Sequence, residues 1–286
     1  MRSSAKGWGS GLAGVAIFSG SLPATRVAVS GFAPLFLTCA RAVIAALLAV
    51  ALLAWMRQPR PQRSDVGSLL VVAAGVVIGF PLLTALALQH IDSAHSLVFV
   101  GLLPLSTAIF AVVRGGERPS PLFWLFSCIG SLAVVGFALG SAGSASFAGD
   151  ALMLAAIVLC GLGYAEGAKL SRRLGGWQVI SWALIVALPL MLPLMLFTFP
   201  ATLRGIGVPA WSGLAYVSVF SMLLGFVFWY RGLALGGIAS VGQLQLLQPF
   251  LGLALAGLLL REPVAWRMLA AMALIVVCVA LARRFA

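Results

Sequence analysis

Most of this chain consists of apolar runs that are too long for the core of a water-soluble protein. Hydrophobic residues fill 62% of the 286 positions and charged residues only 8%, whereas about 25% of a soluble domain is charged. A helix that spans a bilayer needs roughly 20 mostly apolar residues. Ten such segments fit between the polar breaks, and we predict spans at 8–29, 32–56, 66–90, 92–114, 121–141, 148–170, 177–200, 209–231, 237–260 and 264–284.

The runs favour helices over the strands of a β-barrel. Barrel strands are about 10 residues long and alternate in polarity, but the runs Leu47–Leu53 and Leu251–Leu260 are apolar on every face. We therefore predict an all-α membrane protein with ten transmembrane helices. The first run follows Arg2 and Lys6, as in a signal peptide, but its removal would leave a helix of the second half without a counterpart. We expect it to be retained.

The two halves of the chain repeat one pattern. Leu88, Ala94, Leu102, Pro104 and Glu117 recur at the same spacing as Leu233, Ala239, Leu247, Pro249 and Glu262. The Pro and Glu matches are the strongest evidence for the repeat, because the chain holds only 14 prolines and 6 acidic residues. A Gly, Ser and Ala rich stretch at 140–149 divides the chain, which predicts repeats at 8–141 and 148–284. Five helices per repeat is an odd number, so the second repeat is inverted, and a central cavity is expected between the two.

The net charge of +12 is spread over the loops rather than gathered in a stripe. Thirteen basic residues fall on the side that the two termini share, and four fall on the other side: Arg26, Arg204, Arg261 and Arg267. The positive-inside rule then predicts that both termini are cytoplasmic, in a bacterial inner membrane. We expect the lipid bilayer and a small-molecule substrate as partners and no nucleic acid, which requires a continuous basic surface.

Two segments carry a family resemblance. The segment 229–263, WYRGLALGGIASVGQLQLLQPFLGLALAGLLLREP, and its weaker copy 86–119, LALQHIDSAHSLVFVGLLPLSTAIFAVVRGGERP, resemble the EamA-type repeat of the drug/metabolite transporter superfamily. That family often carries an arginine in the second span, as at Arg41. Size and organisation are most similar to the YddG-type aromatic amino-acid exporters. The resemblance implies a carrier that exports small metabolites.

Prolines in the repeat predict breaks in the helices. Pro104 and Pro249 lie near the middle of the fourth and ninth spans, where each frees the carbonyl four residues earlier. Such a carbonyl must face another helix, a water or a ligand, although a kink that only shapes packing is an equal alternative. Pro81 predicts a similar break in the third span. Glu117 and Glu262 follow matched helices at opposite faces and look like hinge or gate positions.

Polar and aromatic side chains inside the spans are the candidate substrate ligands. Gln245 and Gln248 share one face of the ninth span, and interhelical hydrogen bonding is the alternative to a cavity wall. Arg41 is able to meet a substrate carboxylate or to bond a broken helix. His95 is either interfacial or a cavity residue. The predicted substrate-binding residues are Phe80, His95, Phe99, Tyr164, Trp229, Gln243, Gln245, Gln248 and Arg41.

These patterns favour a secondary transporter that exports aromatic or neutral amino acids by alternating access. Another small organic solute or a drug-like compound is the alternative cargo. An intramembrane enzyme would need a clustered nucleophile and base, but the chain has only His90 and His95. The four cysteines lack metal-site spacing, so we expect neither a metal nor a cofactor. An inverted-repeat monomer contains a whole pathway, so we expect it to act as a monomer.

The predicted topology is testable with fusions at each end of the chain. Fluorescent proteins that fold only in the cytoplasm are expected to light up at either terminus, because an even number of spans places both ends on one side. A fusion that stays dark at one terminus and bright at the other would contradict the ten-span arrangement.

Overall fold

The computed structural model describes residues 2–115, 120–140, 146–236, 241, 243–261 and 265–284. Within these ranges all regular secondary structure is helical, which confirms the all-α fold class. The helices lie close to the predicted spans. In a bilayer the backbone N–H and C=O groups of a long apolar run can form hydrogen bonds only with each other, and a helix satisfies them all.

The first half contains eight helices: α1 (Arg2–Ser19), α2 (Ser21–Ala28), α3 (Pro34–Trp55), α4 (Val66–Val72), α5 (Phe80–Ala87), α6 (Ser93–Val100), α7 (Leu103–Gly115) and α8 (Pro121–Gly140). A short 3₁₀ turn (Arg63–Asp65) precedes α4, and a π-helical stretch (Ala73–Gly79) joins α4 to α5.

The described part of the second half contains six helices: α9 (Phe147–Leu174), α10 (Gly176–Phe197), α11 (Val208–Ala215), α12 (Gly225–Gly236), α13 (Gln248–Leu260) and α14 (Trp266–Arg284). A second π-helical stretch (Tyr216–Leu224) joins α11 to α12, and a 3₁₀ segment (Gln243–Leu247) leads into α13.

Six helical segments in the described ranges are long and apolar enough to cross a membrane: Pro34–Trp55, Arg63–Ala87, Ser93–Arg114, Phe147–Leu174, Gly176–Phe197 and Val208–Leu235. Shorter apolar helices cover Gln248–Leu260 and Trp266–Cys278. Large apolar side chains point outward from this bundle; Phe197 is 89% exposed and Leu258 79%. An outer surface of this kind matches hydrocarbon rather than water.

Helices of the first half pair with helices of the second half throughout the bundle. Helix α1 runs along α12, and α9 runs along α4, the first π-helical stretch and α5. Helix α3 packs on α10, α8 packs on α14, and α6 packs on α13. The core therefore lies at the junction of the two halves rather than inside each half.

Both spans that carry the repeated proline are interrupted just before it. Helix α6 ends at Val100, two residues turn, and α7 begins at Leu103 with Pro104 as its second residue. In the second half the 3₁₀ segment ends at Leu247, and Pro249 is the second residue of α13. Proline fits the first turn of a helix because its missing N–H would have no partner there. The breaks are thus helix restarts and not kinks in continuous helices.

The third and eighth spans are wound more loosely at matching depth. The stretches Ala73–Gly79 and Tyr216–Leu224 are both π-helical, and Pro81 follows the first as the second residue of α5. A π-helical turn shifts the register of side chains and is frequent at functional sites. In the first span, α1 ends at Ser19 and α2 begins at Ser21, which is a further interruption in this bundle.

Glycine allows α9 to approach the π-helical stretch of the first half closely. A Cβ on Gly75 would lie 2.5 Å from the carbonyl oxygen of Leu159 and 2.9 Å from the Cα of Gly163. No side chain fits there without moving one backbone away from the other. Small residues at helix contacts of this kind are a main source of association in membranes.

We expect Gly75→Ala to destabilise the bundle and Gly67→Ala to leave it unchanged. The first substitution forces backbones apart, at a cost of about 1 to 3 kcal/mol for overpacking, whereas a Cβ on Gly67 has nothing within 4 Å. Thermal unfolding in detergent measures the difference. Equal midpoints for the two variants would show that the backbones at Gly75 can move apart without loss of stability.

Candidate functional site

A buried guanidinium lies between three helices at the junction of the halves. Arg41 in α3 is 5% exposed, and its Nη2 donates to the Ser221 hydroxyl oxygen at 3.2 Å. The hydroxyls of Ser221 and Ser21 are 2.7 Å apart, which links α3, the second π-helical stretch and α2. We call these three residues the Arg41 cluster.

Arg41 is not paired with any acidic residue that the structure describes. The four described acids have other partners: Asp65 contacts Arg173, Asp92 accepts from the backbone N–H of His95, Asp150 contacts the His95 ring, and Glu166 contacts Arg114. A buried cation without a counter-charge costs several kcal/mol. Among the described residues, the Arg41 guanidinium therefore has no counter-charge.

Aromatic side chains form a second cluster beside the first. Phe18, Tyr164, Phe226, Trp229 and Tyr230 are each at most 6% exposed. The Phe226 ring centroid is 5.0 Å from Phe18, 5.9 Å from Tyr164 and 5.4 Å from Tyr230. Tyr164 and Trp229 are 5.8 Å apart. These offset and edge contacts suit the ring quadrupoles. We call these five residues the aromatic cluster.

Several buried polar atoms of the predicted substrate-binding residues lack a hydrogen-bond partner among the described residues. They include three donors, Arg41 Nε, Trp229 Nε1 and Gln245 Nε2, and one acceptor, Gln248 Oε1. Gln245 lies beside the Tyr164 hydroxyl, which places it at the aromatic cluster. Buried polar groups are almost always satisfied in native proteins, so these four atoms are candidates for contact with a ligand.

The structure buries His95 and pairs it, which differs from the interfacial alternative. His95 is 4% exposed, and its Nε2 lies 2.8 Å from Asp150 Oδ1. Its ring is 5.7 Å from Phe99, which is itself buried. Asp92 caps α6 by accepting from the His95 backbone N–H at 2.6 Å. His95 thus lies at the α6–α9 contact.

The remaining predicted site residues are distributed as follows. Phe80 begins α5, is partly buried and packs against the core. Gln243 lies in the 3₁₀ segment, but its side chain lies outside what the structure describes. Glu117 and Glu262 also lie outside the described residues, so their role as gates stays a prediction.

Sequence reasoning did not find Ser21, Ser221, Asp150 and the two phenylalanines of the aromatic cluster. Asp150 had the clearest signal, because an acid inside a predicted span is a functional candidate by default. It lies in the first turn of α9, where an acid also favours the helix start. The serines and phenylalanines could not be singled out from the sequence, because both residue types are frequent in the apolar spans.

A further ion pair ties α7 to α9. Arg114 Nε donates to Glu166 Oε2 at 3.1 Å, and Ser68 donates to Glu166 Oε1 at 2.5 Å. Glu166 is 1% exposed. The hydrogen bonds of Glu166 thus run to α7 and to α4.

Two cavities lined by described residues lie away from these clusters. One of about 470 Å³ is a groove between Gly20, Tyr216 and Leu255, and the other, of about 630 Å³, lies by Trp177, Gln178 and Arg231. Neither is lined by a predicted substrate-binding residue. In this conformation the predicted ligands that are described are largely buried against one another and the helices around them.

Known proteins share both the pattern and the fold. The model of the EamA-like transporter family matches residues 5–139 and again 147–284. The chain belongs to the EamA-like transporter family. It is a multi-pass membrane transporter, not an enzyme, so the intramembrane-enzyme alternative is set aside.

This transporter is similar to two relatives and to one solved structure. It is 66% identical over the full length of both chains to "Uncharacterized transporter YdeK" of Bacillus subtilis (strain 168). It is 24% identical to a "Probable terminal-alkyne amino-acid exporter" of Streptantibioticus cattleyicolor, over 82% of this chain and 79% of that protein. A crystal structure at 20% identity superposes with a TM-score of 0.71, over 98% of this chain and 99% of the other, and it supports the fold alone.

We expect Arg41→Met to raise the thermal midpoint of the substrate-free transporter. The substitution removes an unopposed buried charge and keeps much of the apolar stem, so the gain is on the order of 1 kcal/mol or more. The matched control is Arg204→Met in an exposed loop, which is expected to change stability by less than about 0.5 kcal/mol. A clear loss of stability in Arg41→Met alone would assign Arg41 a structural role.

Proposed function

We propose that the transporter exports neutral amino acids, with a preference for those that carry aromatic or large apolar side chains. The observation that carries this proposal is the buried, unopposed Arg41, next to polar atoms without partners and to the aromatic cluster. A zwitterion supplies a partner for two of these groups. Its carboxylate accepts from the Arg41 guanidinium, and its ammonium donates to Gln248 Oε1.

The spacing of the two clusters suits a molecule of this size. Ser221 of the Arg41 cluster and Phe226 of the aromatic cluster are five residues apart along one span, which is a rise of about 7 Å. Ser21 and Phe18 are three residues apart on the first span. A substrate with its carboxylate at Arg41 therefore has its side chain at the aromatic rings.

The comparisons support this cargo in a general way. One relative is named as an amino-acid exporter, although its identity of 24% leaves the binding residues free to differ. Arg41 is the part of the site that recognises any carboxylate, whereas the aromatic cluster selects the side chain. The cluster provides no acid for a basic side chain and no second cation for an acidic one.

Transport is proposed to follow alternating access between two inverted five-helix halves that together make ten spans. The pairing of helices supports a two-fold relation, because α1 on α12 mirrors α9 on α5, while α3 on α10 and α8 on α14 map onto themselves. The interruptions before Pro104 and Pro249 and the two π-helical stretches also match. Such breaks let one end of a span move while the other stays packed.

The proposed orientation places both termini in the cytoplasm of a bacterial inner membrane, as the loop charges predict. The start of α6, the start of α9 and the end of α13 then face outward. Glu117 and Glu262 fall at opposite faces and are proposed as gate positions. A single chain holds both halves, so the monomer is proposed as the working unit.

A counterflow series tests the cargo directly. Purified transporter in liposomes loaded with phenylalanine is expected to exchange labelled phenylalanine, with competition by Trp, Tyr, Met and Thr and little competition by Asp or Lys. Equal competition by acidic, basic and aromatic amino acids would refute the proposed selectivity. Exchange of a drug-like cation without any exchange of amino acids would favour the alternative cargo.

Arg41→Gln tests the carboxylate contact within the same assay. We expect half-maximal exchange of phenylalanine to need about tenfold more substrate or worse, since a hydrogen bond to a charged group contributes about 1.5 to 3 kcal/mol. Competition by phenethylamine, which lacks the carboxylate, is expected to be the same in the variant and the parent. Unchanged affinity for phenylalanine in Arg41→Gln would remove the carboxylate contact from the proposal.

A further inference from the structure

A cavity of about 630 Å³ opens where the end of α9, the start of α10 and the end of α12 meet. Arg172 of α9 and Arg231 of α12 both line it, and both side chains are exposed. None of the described residues around this cavity is acidic. The substrate contacts described above do not use it. We call it the basic cavity.

A turn of one residue brings the two arginines to the same corner of the bundle. Helix α9 ends at Leu174, Gly175 follows with a φ of 96°, and α10 begins at Gly176. A Cβ on Gly176 would lie 2.4 Å from the backbone nitrogen of Arg231. Any side chain at this position would push the start of α10 away from α12. Glycine thus allows the ends of three helices to border one cavity.

The neighbouring Arg173 differs from the two cavity arginines because it has an acidic partner. Its guanidinium contacts Asp65 and donates to Gln62 Oε1 at 3.2 Å. Neither Arg172 nor Arg231 forms an ion pair with any acid that the structure describes. Two positive charges at one cavity, with no acid in its described lining, produce a positive potential that attracts an anion.

The start of α10 adds to this potential. This helix is 22 residues long, its N-cap is Gly175, and no side chain accepts from the N–H groups of its first turn. The first turn also contains no acidic residue. The N-terminus of a helix carries a partial positive charge, which is smaller than the full charge of either arginine. The arginines therefore determine the sign of the ligand, and the helix start reinforces it.

The remainder of the lining is largely apolar and extends from the arginines toward the middle of the bilayer. Val227 and Leu235 lie one helical turn before and one turn after Arg231, on the same face of α12. Leu235 is 40% exposed. Trp177 lines the cavity at the start of α10, and tryptophan favours the boundary between lipid headgroups and hydrocarbon. A small soluble anion would use the charged part alone, whereas a phospholipid matches both parts.

The position of the basic cavity along the bundle agrees with a lipid ligand. The loops between α9 and α10 and after α12 lie on the side that carries most of the basic residues, which is the cytoplasmic side in the proposed orientation. Anionic lipids give the cytoplasmic leaflet a negative surface potential, and basic pockets between spans on this side bind anionic headgroups.

We propose that the basic cavity binds the headgroup of an anionic phospholipid from the adjacent leaflet. The phosphate accepts from Arg172 and Arg231, and an acyl chain lies along Val227 toward the middle of the bilayer. Since the two arginines belong to different helices, a bound phosphate ties α9 to α12 beside the start of α10. The site is separate from the one proposed for the amino acid. Only the leaflet that supplies the lipid follows from the proposed orientation.

Native mass spectrometry of the transporter released from detergent tests this site. Dioleoylphosphatidylglycerol is expected to bind more tightly than dioleoylphosphatidylcholine, whose headgroup has no net charge. A variant with both Arg172→Gln and Arg231→Gln is expected to bind the first phosphatidylglycerol about 25-fold more weakly, since each basic residue near the headgroup contributes about fivefold. The matched control is Arg60→Gln, which removes the same charge from an exposed loop residue outside the cavity and is expected to bind the lipid as the parent does.

Ala234→Trp tests the cavity without a change of charge. Ala234 lines the cavity close to Arg231, so an indole there fills space that the lipid needs while both arginines remain. Binding of phosphatidylglycerol is expected to fall in this variant, and its thermal midpoint without lipid checks that it is folded. Parental affinity in the folded variant would place the lipid elsewhere on the surface and overturn the proposal.

Thermal unfolding provides a second readout of the same contact. Phosphatidylglycerol is expected to raise the midpoint of the parent and not that of the double arginine variant, because a ligand that binds only the folded state stabilises it. An equal rise in both proteins, or equal binding of phosphatidylglycerol and phosphatidylcholine to the parent, would refute recognition of the charged headgroup.

A soluble competitor separates a lipid from a free phosphate compound. Glycerol 3-phosphate has the phosphate but no acyl chains, and it is expected not to displace phosphatidylglycerol at equal concentration. Full displacement would assign the basic cavity to a soluble phosphate and overturn the lipid assignment. None of these measurements uses an amino acid, so their failure leaves the proposed cargo standing, and a failure of counterflow leaves the lipid site standing.

Discussion

The structure depends on the cost of holding a charged or polar group away from water. In a chain this apolar, each buried charged side chain needs a partner within the protein, because the bilayer supplies none. Asp150 has His95, Glu166 has Arg114 and Ser68, and Asp65 has Arg173. Among the described residues, the Arg41 side chain has only a serine hydroxyl as its partner. We propose that this exception is what gives the transporter its affinity for a carboxylate.

Closely packed helix contacts and helix breaks both occur where the two halves meet. Glycine contacts such as Gly75 against Gly163 hold spans together along their length. The interruptions before Pro104 and Pro249 and the two π-helical stretches instead leave segments with fewer internal hydrogen bonds to a neighbouring turn. They lie where the two halves meet. A bundle of this kind is stiff within each segment and able to move between segments.

The α9 helix has the central part in this arrangement. It carries Asp150 near one end, Tyr164 in the aromatic cluster and Glu166 near the other end. Its partners in the ion pairs all belong to the first half. One helix therefore carries a residue of the aromatic cluster and two acids that are paired with residues of the first half.

The sequence by itself determined the helical fold class, the approximate helix positions and the matched prolines, because apolar run length and proline chemistry act locally. It also identified Arg41, Tyr164, Trp229, Gln245 and Gln248 as unusual residues for a membrane span. Only the tertiary structure decided which of them meet. It paired His95 with Asp150 and Glu166 with Arg114, and it placed none of the four described acids beside Arg41. Those outcomes depend on which helices of the two halves are in contact. Contacts between residues far apart in the chain cannot be inferred from the local sequence pattern.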